Sequence, residues 1–169
     1  RQMDAFQNAY EKLLPPLVYK IRIAVEKWRE EGYKGASETS KALLNFWFNQ
    51  EHLIGQTKFS FFFSQREAIE SIIYLYEIAK AKDKYELMRF DSSQRVSTGM
   101  FDENWTRYVI KMATGAGKTK VMGLTLVWSY FHKLYEADST LSKDFLVIAP
   151  NIIVLNRLRK DFDGLKMFF

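Results

Sequence analysis

The order of apolar and polar positions divides the chain into a helical first part and an α/β last part. Apolar residues recur at helical spacing from Met3 to Leu14, and Pro15-Pro16 interrupts them. The period resumes from Leu17 to Glu31 through Val18, Ile21, Ile23, Ala24, Val25 and Trp28. "EGYKGAS" then supplies two glycines, and Ser37 stands where an N-cap belongs for a helix through Leu43, Leu44, Phe46 and Trp47. Phe59 to Phe63 is mostly aromatic and reads as extended or irregular. Ser64, with Glu67 three residues on, has capping-box spacing. The helix it starts has Ala68, Ile69, Ile72, Ile73, Tyr76 and Ala79 on one apolar face, with Glu70, Glu77 and Lys80 outside it.

Asp83 to Thr106 has little periodicity and reads as a long connection with a short helix near Tyr85–Arg89. The pattern changes at Arg107. "RYVIKM" is a short apolar strand, "ATGAGK" a loop, and Lys118 to about Glu136 a helix that is apolar nearly all round. Its main polar positions, Thr125, Ser129, His132 and Lys133, share one narrow stripe, so most of it is expected to be buried. "FLVIAP" (Phe145–Pro150) is a continuous apolar strand of the kind found inside parallel sheets, and "NIIVLNRLRKDF" follows as loop and helix. Strand, helix and strand make a βαβ unit. The expected fold class is α/β, a parallel sheet with flanking helices, preceded by a helical region over residues 1–56.

Composition narrows the chemistry by exclusion. At 169 residues, 47% hydrophobic and 27% charged, the chain is globular rather than disordered. It contains no cysteine, which excludes disulfides, thiolate zinc sites and a thiol nucleophile. His52 and His132 lack ligand spacing and read as surface or packing residues. The apolar stretch Val121 to Phe131 is too short to span a bilayer, and the N-terminus has no signal-peptide pattern, so the expectation is a cytoplasmic protein without a membrane partner. The chain starts at Arg1 rather than Met, from which a longer parent is expected. A net charge of +5 suits a polyanionic partner.

"VIKMATGAGKTKVM", Val109 to Met122, carries the strongest chemical signal. Gly115 and Gly117 let the backbone turn tightly, so that N–H groups of Thr114 to Gly117 point at phosphate oxygens. The helix starting at Lys118 adds its N-terminal dipole and free amides. Lys118 would then reach the β- and γ-phosphates of a bound nucleotide, and the Thr119 hydroxyl would ligate Mg²⁺. The general pattern has glycine six residues before the lysine, where this chain has Met112.

"MATGAGKT" resembles the first motif of superfamily-two helicases, in which that glycine is commonly replaced. "FFFSQREAIE" resembles their upstream adenine-reading segment. The resemblance implies that Gln65 hydrogen-bonds the adenine N6 and N7 edge, with one of Phe61–Phe63 packed on the base. Read without it, Gln65 is a polar residue at a helix start. "VIAPNIIVLNRL" resembles motif Ia, whose strand ends in Ala-Pro and whose loop touches the nucleic-acid backbone. That implies Pro150, Asn151 and Arg157 as nucleic-acid contacts, Asn151 replacing a common threonine and Arg157 a common glutamine. For Arg157 a solvated helix face is the other reading.

Taken together, these segments look most like the restriction subunit of type III restriction enzymes and its DEAD/DEAH-box relatives. The resemblance implies an ATP-dependent DNA helicase or translocase, with RNA as the other polymer and a modification (methyltransferase) subunit as a partner. Residues 57–169 are then the first part of a RecA-like motor domain, holding the adenine-reading segment, the Walker A loop and motif Ia. Asp102-Glu103 in "FDENW" precedes the phosphate loop and lacks a preceding apolar strand, so it is not the Walker B pair. That pair and the arginine finger are expected beyond Phe169, and this chain alone is expected to turn over no ATP. Another phosphate-loop enzyme, such as a small-molecule kinase, and a non-hydrolysing nucleotide scaffold remain as alternatives.

Overall fold

The computed structural model describes residues 14–91, 93, 94, 96, 97, 99 and 105–163. The helix expected over Met3 to Leu14 and the Asp102-Glu103 pair lie outside these residues, apart from Leu14 itself. The described residues fall into two compact units, one within 1–36 and 71–109 and the other within 37–70 and 110–169.

The first unit is built on α1 (Val18–Glu30), with Val25 and Trp28 buried. Trp28 is fixed on three sides. Tyr33 meets it edge-on at 4.9 Å, Tyr74 at 5.5 Å, and its indole N–H donates to Lys34 O at 3.0 Å. A short helix, Lys84–Met88, lies where one was expected and is capped by Asp83, whose carboxylate accepts from Glu86 N–H at 2.9 Å. Asp83 is the residue type that a helix start favours.

The second unit begins at Ser37, whose hydroxyl accepts from Ser40 N–H at 3.1 Å, the cap read from the sequence. This cap opens α2 (Glu38–Asn49), which buries Ser40, Leu44 and Trp47. A hairpin follows, β1 (His52–Ile54) with β2 (Thr57–Phe59), antiparallel with His52 opposite Phe59. The helical periodicity does not anticipate it. The signal is the two-residue Gly55-Gln56 turn between short β-prone runs.

Next comes α3 (Phe63–Ile73), which continues as one π-helical turn, Tyr74–Ile78. Ala68, Ile69, Ile72 and Ile73 are buried as expected, but Tyr76 and Ala79 are only half-buried and Leu75 is inside instead. The wider turn, closed by Ala79 N–H on Tyr74 O at 2.8 Å, rotates the later side chains out of the α-helical register. Glu70, expected outside the apolar face, is fully buried and paired with Arg66 (Nε–Oε1 2.8 Å). Arg66 makes this possible by lying four residues earlier on the same helix.

The longest helix, α4 as the chain passes Lys84–Met88 as a single short turn, is Lys118–Tyr135. It packs on α2, where Trp128 Nε1 donates to the buried Ser40 hydroxyl at 2.8 Å. Part of the polar stripe of this helix faces protein, with Ser129 and His132 buried and Lys133 exposed. Ser129 donates to Ser142 O (2.9 Å), His132 pairs with the Ser139 hydroxyl (2.7 Å), and Lys133 donates to Ser139 O (2.7 Å). Residues 139–142 supply the partners that make burial of Ser129 and His132 affordable, while Tyr130, Leu134 and Tyr135 are exposed. The expectation that most of this apolar helix is buried is corrected to that extent.

Glu136, just past the helix, accepts from Thr39 N–H (3.0 Å) and the Thr39 hydroxyl (2.5 Å) at the start of α2. These bonds, the hydroxyl first, hold its carboxyl below the usual glutamate range, with His132 adding a smaller attraction. A lowered folded-state pKa favours the fold above the unfolded-state value and loses that contribution as pH falls through the folded value. The melting temperature of the native chain is therefore expected to fall towards that of Glu136→Gln on acidification below about pH 4.5. A constant gap between the two from pH 6 to pH 3 refutes this.

The parallel sheet is the main correction. Among the described residues the sheet is the two-stranded hairpin alone, and the expected strands 107–112 and 145–150 run without a ladder. A strand needs a neighbour's N–H and C=O groups, and neither segment has one here. Val109, Leu146 and Ile148 are accordingly 79%, 86% and 82% exposed, the reverse of the burial expected of sheet-core residues. The last helix, α5 (Ile152–Phe162), follows where the sequence places it and packs on α4.

Candidate nucleotide-binding site

The loop between Met112 and Lys118 is shaped by its two glycines. Gly115 has φ 81° and Gly117 φ 77°, both left-handed, and Gly117 is the N-cap of α4. Side-chain-bearing residues rarely hold this backbone. The loop closes with Ala116 N–H on Ala113 O (3.3 Å), and the helix ladder begins with Lys120 N–H on Gly117 O (3.0 Å). The amides of Lys118 and Thr119, at the first two helical positions, have no carbonyl ahead of them in the helix. An anion placed there meets those donors and the positive end of an 18-residue helix.

Lys118 is exposed, and its ammonium donates to Ala113 O (3.0 Å) and Met112 O (3.3 Å). It is thus folded over the start of its own loop, on neutral carbonyls that a phosphate readily replaces. Thr119 is half-buried beside it, and Thr114 and Gly115 are exposed. Lys120, one residue further, sits with its ammonium 5.0 Å from the centre of the Phe59 ring. Burial pushes its pKa below the ordinary lysine value.

Gln65 joins this loop from 51 residues away. It is buried, and its Nε2 donates to Ala116 O at 3.2 Å. Its Oε1 accepts from Phe62 N–H at 2.9 Å, the return arm of a capping box at the third helical position. The expected Ser64–Glu67 capping box is thus corrected: the helix starts at Phe63, and Gln65 is the side chain that reaches back, to Phe62. Gln65 thus bears out the reading as a polar residue at a helix start, and it also touches the 112–118 loop. An amide has two donors and two lone pairs, so each end retains capacity for a further partner. Contact with the loop is close: a Cβ on Gly117 would overlap Gln65 Nε2.

Of the three aromatic residues before Gln65, Phe61 sits in a ring cluster with Phe59 (4.9 Å), Phe48 (5.4 Å) and His52 (6.1 Å). Phe62 and Phe63 are 65% and 62% exposed. Downstream, Asn151 caps α5 by accepting from Val154 N–H at 2.9 Å, and Pro150 and Arg157 are exposed. Among the described residues no hydrogen bond joins these three to the loop. The histidines have packing roles, His52 on the carbonyls of Phe46 and Trp47 and His132 on Ser139. No cluster of metal-ligating side chains occurs among the described residues, nor does a helix long and apolar enough to cross a membrane.

A family model, that of the type III restriction enzyme res subunit, matches residues 25–168. The chain belongs to this family. No curated protein and no solved structure matches it. Membership in the res-subunit family brings with it a helicase-like ATP-binding domain and an ATP-dependent enzyme class. The RecA-like fold of such domains has a parallel sheet, which the described residues do not form. The phosphate loop and the Gln65 segment both lie within the matched region.

Proposed function

We propose that this chain is the ATP-binding part of a helicase or translocase of a type III restriction-like system that acts on DNA, with RNA as the alternative polymer. The observation that supports the reading is the bond from Gln65 Nε2 to Ala116 O, which joins the Gln65 segment to the 112–118 loop. Thr114 to Gly117 and the first α4 amides cradle the phosphates, Lys118 neutralises the β- and γ-phosphates, and the remaining capacity of the Gln65 amide reads adenine. Thr119 holds Mg²⁺, which when bound shields the phosphate charge. Pro150, Asn151 and Arg157 contact the nucleic-acid backbone, Asn151 through the amide group that its capping oxygen leaves over.

In this reading residues 1–56, helical up to the β1 strand at His52–Ile54, precede residues 57–169, the first part of motor domain 1. A modification subunit then accompanies the cytoplasmic enzyme, and the chain by itself turns over no ATP.

The test is titration of the chain with a fluorescent ATP analogue and Mg²⁺. Binding is expected, weakened at least tenfold by Lys118→Ala. Absence of binding by the native chain, or robust Lys118-dependent turnover by it, overturns the reading in its first or last part respectively. In the full-length protein, ATPase stimulation by DNA or RNA distinguishes a motor from a small-molecule kinase.

A further inference from the structure

In the first unit, the π-helical turn Tyr74–Ile78 runs out into a left-handed residue, Lys80 (φ 50°), and Ala81 N–H returns to Leu75 O at 2.8 Å. A helix that stops here leaves carbonyls without helical partners, and side chains from later segments take them up. Arg89 donates to Ala79 O, the Tyr108 hydroxyl to Ala81 O at 3.0 Å, and the Thr106 hydroxyl to Lys82 O at 2.7 Å. Residues 106–108 are thereby fastened alongside Ala81 and Lys82, from 24 to 27 residues away in sequence.

These bonds gather aromatic rings and cations on one surface. Trp105, next to Thr106, is 63% exposed, and Tyr85, three residues after Lys82, is 65% exposed. Each has a cation beside it, with the Arg107 guanidinium 5.9 Å from the Trp105 ring centre and the Lys84 ammonium 5.8 Å from that of Tyr85. Lys80 and Lys82 are exposed as well, and the Lys82 ammonium lies 4.6 Å from the centre of the Tyr76 ring. Of the nearby acids, Asp83 is engaged as a helix cap and Glu86 pairs with Arg89 at 3.0 Å. Rings left in water contribute little to the fold, so Trp105 and Tyr85 are placed for an outside partner.

We propose that this surface, Lys80, Lys82, Tyr85, Trp105 and Arg107, binds single-stranded nucleic acid, with bases stacked on the rings and phosphates on the cations. An acidic peptide offers the charge but no flat faces for the rings, and a duplex keeps its base faces stacked inside. The surface belongs to the first unit and uses none of the residues assigned above to nucleic acid or nucleotide, so it stands or falls apart from them.

The experiment is fluorescence anisotropy of the chain with a labelled mixed-sequence single strand of DNA and with the duplex of the same sequence. Tighter binding of the single strand is expected. Trp105→Ala and Tyr85→Ala are each expected to weaken it about fivefold to tenfold, and Trp105→Phe to keep most of the affinity. Lys82→Gln is expected to flatten the slope of log affinity against log salt by about 0.7. Equal affinity for strand and duplex, native-like affinity in the Trp105→Ala/Tyr85→Ala double variant, or no binding by the native chain overturns the proposal. So does a loss in Trp105→Ala that Trp105→Phe does not restore while the melting temperature drops, since that marks a packing role. Arg157→Gln reads the contacts of the second unit separately. A loss there with Trp105→Ala unaffected assigns the strand to Arg157 instead.

Discussion

Gly117→Ala is expected to reduce ATP affinity about a hundredfold, the largest single effect at the site. Two physical costs add. The φ of 77° places an alanine in the left-handed region, at about 1 kcal/mol. The new methyl also falls on Gln65 Nε2. The tip of a glutamine is ordinarily free to move aside, but this one is buried and hydrogen-bonded at both ends. Displacing it forfeits two bonds at about 1 kcal/mol each, giving a total of about 3 kcal/mol against the binding-competent loop. A double-mutant cycle separates the terms. In a Gln65→Ala background the methyl has room, and Gly117→Ala is expected to cost only the backbone part, about fivefold. Equal losses in both backgrounds would show that Gln65 and the loop are not coupled.

The largest loss of stability is expected from Arg66→Ala, about 3 kcal/mol, because it leaves the fully buried Glu70 carboxylate without the guanidinium 2.8 Å away. Arg66 also lies over the Phe48 ring at 5.2 Å, so its removal opens the aromatic cluster beside the start of α3. Glu70→Gln is the milder change. It keeps the shape and the acceptor, removes the buried charge, and leaves Arg66 with a route to solvent, so about 1 kcal/mol is expected. Urea unfolding of the two variants measures both. Should Arg66→Ala unfold at the native midpoint, the pair does not stabilise the helix that carries Gln65.

Much of this was legible in residue order. Ser37 read as a cap and is one. The glycines of "TGAGKT" predicted a tight turn at a helix start, and Gly115 and Gly117 have left-handed backbone there. Such features depend on neighbours a few residues away, which a sequence displays directly. Gln65 was legible in part: its place at a helix start could be read locally, but its contact with Ala116 joins residues 51 apart and was not foreseen.

What the sequence could not decide was which faces find partners. Periodicity put Glu70 outside and the α4 helix inside, yet Glu70 is buried because Arg66 neutralises it, and Ser129 and His132 are buried because residues 139–142 supply their hydrogen bonds. The apolar runs at 107–112 and 145–150 gave strand composition without a ladder, because pairing is a property of two segments rather than one. By itself the sequence determined the tight glycine turn at the start of α4, the Ser37 cap and the family. Only the tertiary structure decided that Gln65 is fastened to the loop and that Lys120 rests on Phe59, since both contacts depend on where distant segments meet.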